Sequence, residues 1–271
     1  MLRFGSSLAI IGRPGTERVT LEISCPTGPA ANKLMREFGG RVEKLRPGWL
    51  QGFAKQTQGK PLHIGPRLIV LSAPMQRTTA AQTIVIPAEA AFGTGHHATT
   101  AMCLRLLERI TRKVQPGWRM LDAGTGSGIL ALAGSCFGAG QVLAVDNDPL
   151  ACATAKRNAR VNSARHIEFS TGDIFQQRLS GKFAIITANL LSEIVIEALP
   201  TWSRHLAPGG HLILSGVLRS QETAVVRALR RHRFIASKIR RRGKWIALLA
   251  APARIKRQLT AGRGKRNVPR P

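Results

Sequence analysis

The sequence predicts an α/β fold: a doubly wound, mostly parallel sheet of seven strands, preceded by a small N-terminal α+β appendage. Three observations predict it. Residues 119–251 alternate short apolar runs with Ala- and Leu-rich amphipathic stretches, the pattern of repeated β-α units with helices on both faces of a sheet. A glycine cluster, Gly124 to Gly128, follows the first of those runs and opens a helix. Of the 271 residues, 44% are hydrophobic and 20% charged, which is enough to bury a sizeable core.

Arg119–Ala123 reads as an apolar strand stopping at the glycines, and Ser127–Phe137 as the helix after them. Gln141–Asp146 is the second strand. Asp148 suits a helix N-cap, with Pro149 at the first helical position, where its missing N–H costs nothing. His166–Ser170 alternates polar and apolar residues, and Phe183–Leu190 is the continuous run of a strand buried on both faces. Ser192–Leu206 is an amphipathic helix, ended by Pro208-Gly209-Gly210. His211–Val217 is the fifth strand and Ser220–His232 a helix. The chain then closes in a hairpin: Phe234–Ile239, a turn at Arg240–Gly243, and Lys244–Ala251. Ahead of the sheet, Thr99–Arg112 carries Leu104, Leu107 and Ile110 at core spacing. The first 90 residues are broken by glycine and proline. They yield a strand at Val19–Cys25, a helix at Ala30–Phe38, and short strands at Leu68–Leu71 and Thr83–Ile86.

Charge is unevenly placed. The chain has 41 Lys and Arg against 14 Asp and Glu, a net +27. Residues 91–226 are nearly balanced, with 13 basic and 9 acidic side chains, whereas residues 227–271 hold 16 basic and no acidic ones. Such an excess favours polyanionic surroundings, the ribosome among them. No apolar stretch approaches the length of about 20 residues that spans a bilayer, and Leu8–Ile11 is too short for a secretory signal. Cys25, Cys103, Cys136 and Cys152 form no C-x-x-C pair, so no metal site is expected, and reduced thiols in a cytoplasmic protein are. The absence of Tyr removes tyrosine-based catalysis.

The most informative segment is Leu121-Asp122-Ala123-Gly124-Thr125-Gly126-Ser127-Gly128. Its spacing, G-x-G-x-G, differs from the dinucleotide fingerprint, which would need glycine where Ile129 stands. No Gly-Lys pair is followed by Ser or Thr, so a phosphate-binding Walker loop is absent. Asp146 ends the second strand, 24 residues after Asp122. There it can accept from both hydroxyls of a ribose beside the glycine loop. Asp122 and Asp173 are expected at the same mouth. A D-x-G-x-G-x-G loop paired with a strand-end acid is the signature of Rossmann-like methyltransferases that use S-adenosyl-L-methionine. That ligand carries a sulfonium and no phosphate, and the loop carries no cation.

Phe92-Gly93-Thr94-Gly95-His96-His97-Ala98-Thr99-Thr100 resembles the Phe-Gly-Thr-Gly-Thr-His-Pro-Thr-Thr stretch of the ribosomal protein L11 lysine methyltransferases. Asp122–Leu130, Ala144–Leu150, Ala188-Asn189-Leu190-Leu191 and Leu214-Ser215-Gly216-Val217-Leu218 are similar to that family in the same order, and so is the stretch from Trp49 to Leu68. The resemblance covers about residues 47–250. It implies a protein lysine N-methyltransferase acting on ribosomal protein L11 or another ribosome-associated basic protein. It also implies cofactor contacts at Thr100, Asp122, Gly124, Gly126, Gly128, Asp146, Asp173 and Asn189. Asn189 lies at the methyl-transfer mouth, and Phe92 and His97 belong to a loop closing over the substrate side. His97 is a candidate proton acceptor or a loop-ordering side chain. Ala98 and His96 depart from the family's Pro and Thr. The implied domains are residues 1–86 for recognition and linking, 87–252 for methyl transfer, and 253–271 as a disordered basic tail. Contact of the basic C-terminal region with ribosomal RNA is a further expectation. Two other readings stand beside this one: an RNA methyltransferase on the same fold, and a non-catalytic cofactor-binding protein of the ribosome.

Overall fold

The structure is a computed structural model that describes residues 8–12, 19–23, 28–42, 61–73, 81–87, 95 and 97–253. Phe92 and the basic tail beyond Ala253 lie outside the described residues. The chain begins with strands β1 (Leu8–Gly12) and β2 (Val19–Ile23), paired antiparallel, and helix α1 (Gly28–Phe38). The sequence suggests no strand at Leu8–Ile11, because four apolar residues carry no period; pairing with β2 makes it one. A second sheet holds β3 (Leu62–Ile64), β4 (Leu68–Leu71) and β5 (Gln82–Val85), with β3 antiparallel and β5 parallel to β4.

The main unit follows. Helix α2 (Ala98–Thr111) leads into β6 (Trp118–Ala123), α3 (Ile129–Cys136), β7 (Ala139–Asp146), α4 (Pro149–Val161), β8 (Ile167–Thr171) and β9 (Phe183–Asn189). Then come α5 (Ser192–His205), β10 (Leu206–Leu218), α6 (Glu222–Arg231), β11 (Phe234–Arg242) and β12 (Trp245–Pro252). The seven strands lie in the order β11-β12-β10-β9-β6-β7-β8. The five from β10 to β8 are parallel, and β12 runs antiparallel to both its neighbours. The expected doubly wound, mostly parallel seven-stranded sheet is therefore present. The strand order reverses between β6 and β9, and ligands of open α/β sheets bind outside the carboxyl ends at such a reversal.

Alternate residues of each strand feed two cores. Met120, Ile185, Ile213 and Leu249 pack under α2 and α3. Leu121, Ile186, Leu212, Leu214 and Leu248 pack under α5 and α6. Ile64, Leu68, Val70 and Ile84 of the three-stranded sheet join the first core. Glu108 on α2 clamps that junction, because Arg67 (Nε to Oε1, 3.2 Å) and Arg112 (Nε to Oε1, 2.9 Å) both donate to it. Asn162, which caps α4, pairs both ways with the backbone of Val85, accepting from its N–H at 2.7 Å and donating to its C=O at 2.8 Å.

Three boundaries differ from the sequence reading. Pro208-Gly209-Gly210 does not separate helix from strand: β10 begins at Leu206, and the segment bulges before pairing with β9 resumes at His211. The proline has no N–H to lend to a neighbouring strand, so the bulge absorbs it. The hairpin turn holds two residues, Gly243 and Lys244, so Arg240–Arg242 are strand. Helix α3 starts at Ile129 because Gly128 is its left-handed cap (φ +81°). Cys103 and Cys152 are buried and Cys136 half-buried; Cys25 is not described. No helix among the described residues is long and apolar enough to cross a membrane.

Candidate active site

The carboxyl ends of β6, β7 and β9 bring the sequence-predicted residues to one edge. Asp146 at the end of β7 accepts from the Gly126 N–H at 2.8 Å and the Asp148 N–H at 3.0 Å. Each carboxylate oxygen retains a lone pair for a further donor. Asp173, two residues past β8, is exposed and accepts from the Phe175 N–H at 2.9 Å. The two acids stand on adjacent strand ends, and the Gly172 N–H donates to the Asp146 carbonyl.

The glycine loop is not a phosphate cradle. The Gly124 and Thr125 N–H groups donate to the Val145 carbonyl, Gly126 to Asp146, and Gly128 to the Thr125 carbonyl. What the loop offers a ligand is bare backbone at Gly124 and Gly126, both partly accessible. This fits a sulfonium nucleoside better than a phosphate, and the three glycines differ in what they do. Leu190 lies against Gly124 where a Cβ would be. Gly128, expected at the cofactor, is buried against α4: a Cβ there would meet the Ala155 Cβ at 3.0 Å. It lets α3 and α4 approach closely.

Asp122 also departs from expectation. It has no exposed surface. Thr187 (2.6 Å) and Thr125 (2.7 Å) donate their hydroxyls to its two oxygens, so it ties the loop to β9 from below. Burial pushes its carboxyl up to about 6, against the opposing effect of those hydrogen bonds.

Asn189 ends β9. Its amide Nδ2 donates to Thr100 Oγ1 at 3.4 Å, and Thr100 is buried in the first turn of α2. Its Oδ1 is buried and accepts no hydrogen bond from the described residues. Leaving a buried carbonyl unpaired costs about 1–3 kcal/mol, a deficit that a donor entering the mouth would remove. Gly216 (φ +80°) permits this corner, since a side chain there would strike the backbone of Leu190. The Leu190 N–H in turn donates to the Ser215 carbonyl at 3.0 Å.

His97 caps α2. Its Nδ1 accepts from the Thr99 N–H at 3.4 Å and lies 2.7 Å from Thr99 Oγ1, while its ring meets Trp245 edge-on at 5.4 Å. Burial, and then the charge of Lys244, lower its pKa. An Nδ1 already held by the helix end is poorly placed as a base, so of the two expected roles the structure favours loop ordering.

Sequence reasoning assigns no role to Leu150, Phe175 and Leu191. These exposed apolar side chains follow the carboxyl ends of β7, β8 and β9 in turn. Two of them lie inside matched motifs, but an exposed leucine leaves no mark of its own in a sequence.

A seven-stranded sheet with an antiparallel terminal hairpin, a glycine-rich loop after the first strand and an acid ending the second defines the class of Rossmann-like methyltransferases. A crystal structure of an S-adenosylmethionine-dependent methyltransferase from Clostridium acetobutylicum shares this fold at 12% identity, with a TM-score of 0.50 over 59% of this chain and 94% of that one. The family model for ribosomal protein L11 methyltransferase matches residues 47–252, and the chain belongs to that family. It is 34% identical over 240 residues to a ribosomal protein L11 methyltransferase of Pelotomaculum thermopropionicum, covering 83% of this chain and 77% of the relative. It is 37% identical over 235 residues to one of Syntrophotalea carbinolica, covering 87% and 70%. The crystal structure of the ribosomal protein L11 methylase of Lactobacillus delbrueckii subsp. bulgaricus is similar at 30% identity and a TM-score of 0.63. That similarity spans 72% of this chain and 99% of that one.

Proposed function

We propose that the protein transfers methyl groups from S-adenosylmethionine to amino nitrogen, a lysine amine in the first instance, of ribosomal protein L11. The observation that carries this reading is the unpaired, buried Asn189 Oδ1 beside the glycine loop. It is a neutral acceptor suited to an amine N–H. When bound, S-adenosylmethionine supplies a methyl group activated by a sulfonium. Asp146 would accept from its ribose hydroxyls, Gly124 and Gly126 would allow its close approach, and Asp173 with Leu150 and Phe175 would hold its adenine. Thr100 holds the Asn189 amide so that Oδ1 is left for the substrate. Asp122, Gly128 and Gly216 act through these groups and position the loop.

A lysine of pKa about 10.4 costs roughly 4–5 kcal/mol to deprotonate at pH 7. Exclusion of water at the mouth reduces that cost by disfavouring the cation. Asn189 adds no charge that would pull the proton back.

The recognition and linker region of residues 1–86 would hold the protein substrate, and residues 87–252 would perform the transfer. The setting is the cytoplasm, and the basic C-terminal region would contact ribosomal RNA. Incubation with labelled methyl donor, purified L11 and ribosomal RNA tests the reading. Label is expected in a lysine of L11 and lost in Asn189→Ala, with donor affinity retained; label in the RNA instead would overturn it.

A further inference from the structure

A second cleft opens on the α2 side of the sheet, walled by Arg105, Arg109 and Lys113 of α2 and the turn after it, Gly209 and His211 of the β10 bulge, and Arg240 of β11. Its volume is about 980 Å³, at the upper end of small-ligand pockets, which run to about 1,000 Å³. Those pockets are mainly apolar; this one is lined by cations. The single carboxylate among the described residues of its wall, Glu108, is committed to Arg67 and Arg112. Strand alternation decides which arginines enter. Arg241 faces the other side, where it pairs with Glu222, while Arg240 and Arg242 face α2. Burial, then the charges of Arg242 and Arg240, lower the Arg105 pKa. Two lining side chains hold buried nitrogens without a partner, Arg240 Nε and His211 Nδ1.

Like charges gathered beside an unpaired buried guanidinium N–H are costly unless an anion completes them. The cationic track continues to Lys244 at the hairpin turn, close enough to His97 to affect its titration. Along β11 and its turn, cations at Arg240, Arg242 and Lys244 thus lead from the cleft toward the mouth, more charges than one phosphate needs. Among the described residues no Phe or Trp lines the cleft and His211 is its one ring, so little is provided for stacking on bases.

We propose that this cleft binds the phosphodiester backbone of RNA, without reading its bases. The inference deepens the RNA contact proposed above by giving it a built site where Arg240 of the basic C-terminal region meets α2, and it is independent of methyl transfer.

The test uses the full chain and a fluorescein-labelled single-stranded RNA, with binding followed by anisotropy across a salt titration. Each phosphate contact contributes about 0.7–0.9 to the log–log salt slope. Arg105→Gln with Arg240→Gln should therefore lower the slope by about 1.5 and the affinity about 15- to 30-fold at about 0.15 M salt. Arg230→Gln with Arg231→Gln, on α6, removes the same charge elsewhere and should leave most of the affinity. Should the first pair melt early, the exposed Arg109→Gln with Lys113→Gln carries the same expectation. An α6 pair that loses as much, or cleft pairs that lose nothing, would overturn the cleft while leaving RNA contact standing. A wild-type chain that ignores RNA, or releases it equally to poly-glutamate, would overturn both.

Discussion

Asp122→Asn removes a buried charge while keeping the side chain's shape. The carboxyl has no exposed surface, and its pKa rises from 3.8 to about 6, chiefly through burial. Because the folded value lies above the unfolded one, the native state holds more protons than the unfolded state between those limits. Stability from this group is therefore full below about pH 4 and falls as pH rises toward 6. About two pKa units at 1.36 kcal/mol each make the loss roughly 3 kcal/mol. An amide carries no such charge. The unfolding free energy of the Asp122→Asn variant minus that of wild type should then rise by roughly 3 kcal/mol between about pH 4 and pH 7. Urea unfolding at several pH values measures it, and the subtraction cancels the other titrating groups. A difference that stays flat with pH would refute the buried-charge argument. The same variant bears on the site, since a carboxylate with no accessible surface cannot touch a ligand. Calorimetry should find the affinity for S-adenosylmethionine within about tenfold, or 1.4 kcal/mol, of wild type; a larger loss would return Asp122 to the ligand's contacts.

Asp146→Ala should lower that affinity at least about 100-fold, since two hydrogen bonds to a charged group are worth about 1.5–3 kcal/mol each; normal affinity by calorimetry would sink the ribose assignment. Gly216→Ala must place a Cβ against the Leu190 backbone at φ +80°. The left-handed conformation alone costs about 1–2 kcal/mol, so the thermal midpoint should fall. Turnover should fall further, with donor affinity kept, because Asn189 would shift; unchanged turnover would separate Gly216 from the corner it is argued to shape.

Much of this molecule is readable in linear order. Strand period, the glycine cluster after β6 and the cap pair Asp148-Pro149 are local features, and α4 indeed starts at Pro149 with Asp148 accepting from the Leu150 N–H. Local periodicity cannot find β1 or β3, whose short runs become strands only by pairing. It also misreads Pro208–Gly210, where neighbouring strands tolerate a bulge that composition marks as a break.

The site divides in the same way. Asp146 and Asn189 are placed by strand ends, which are sequence features. That Gly128 packs helices and that Asp122 lies beneath the loop depend on what lies opposite each, namely Ala155 and Thr187.

The basic C-terminal stretch is the clearest division. By itself the sequence determined that positive charge concentrates there, because charge is a property of composition. Only the tertiary structure decided which charges act together. The two-residue period of β11 sends Arg241 to Glu222 and turns Arg240 and Arg242 toward Arg105, more than a hundred residues earlier in the chain. Side-chain direction and long-range pairing are set by packing, and packing has no linear record.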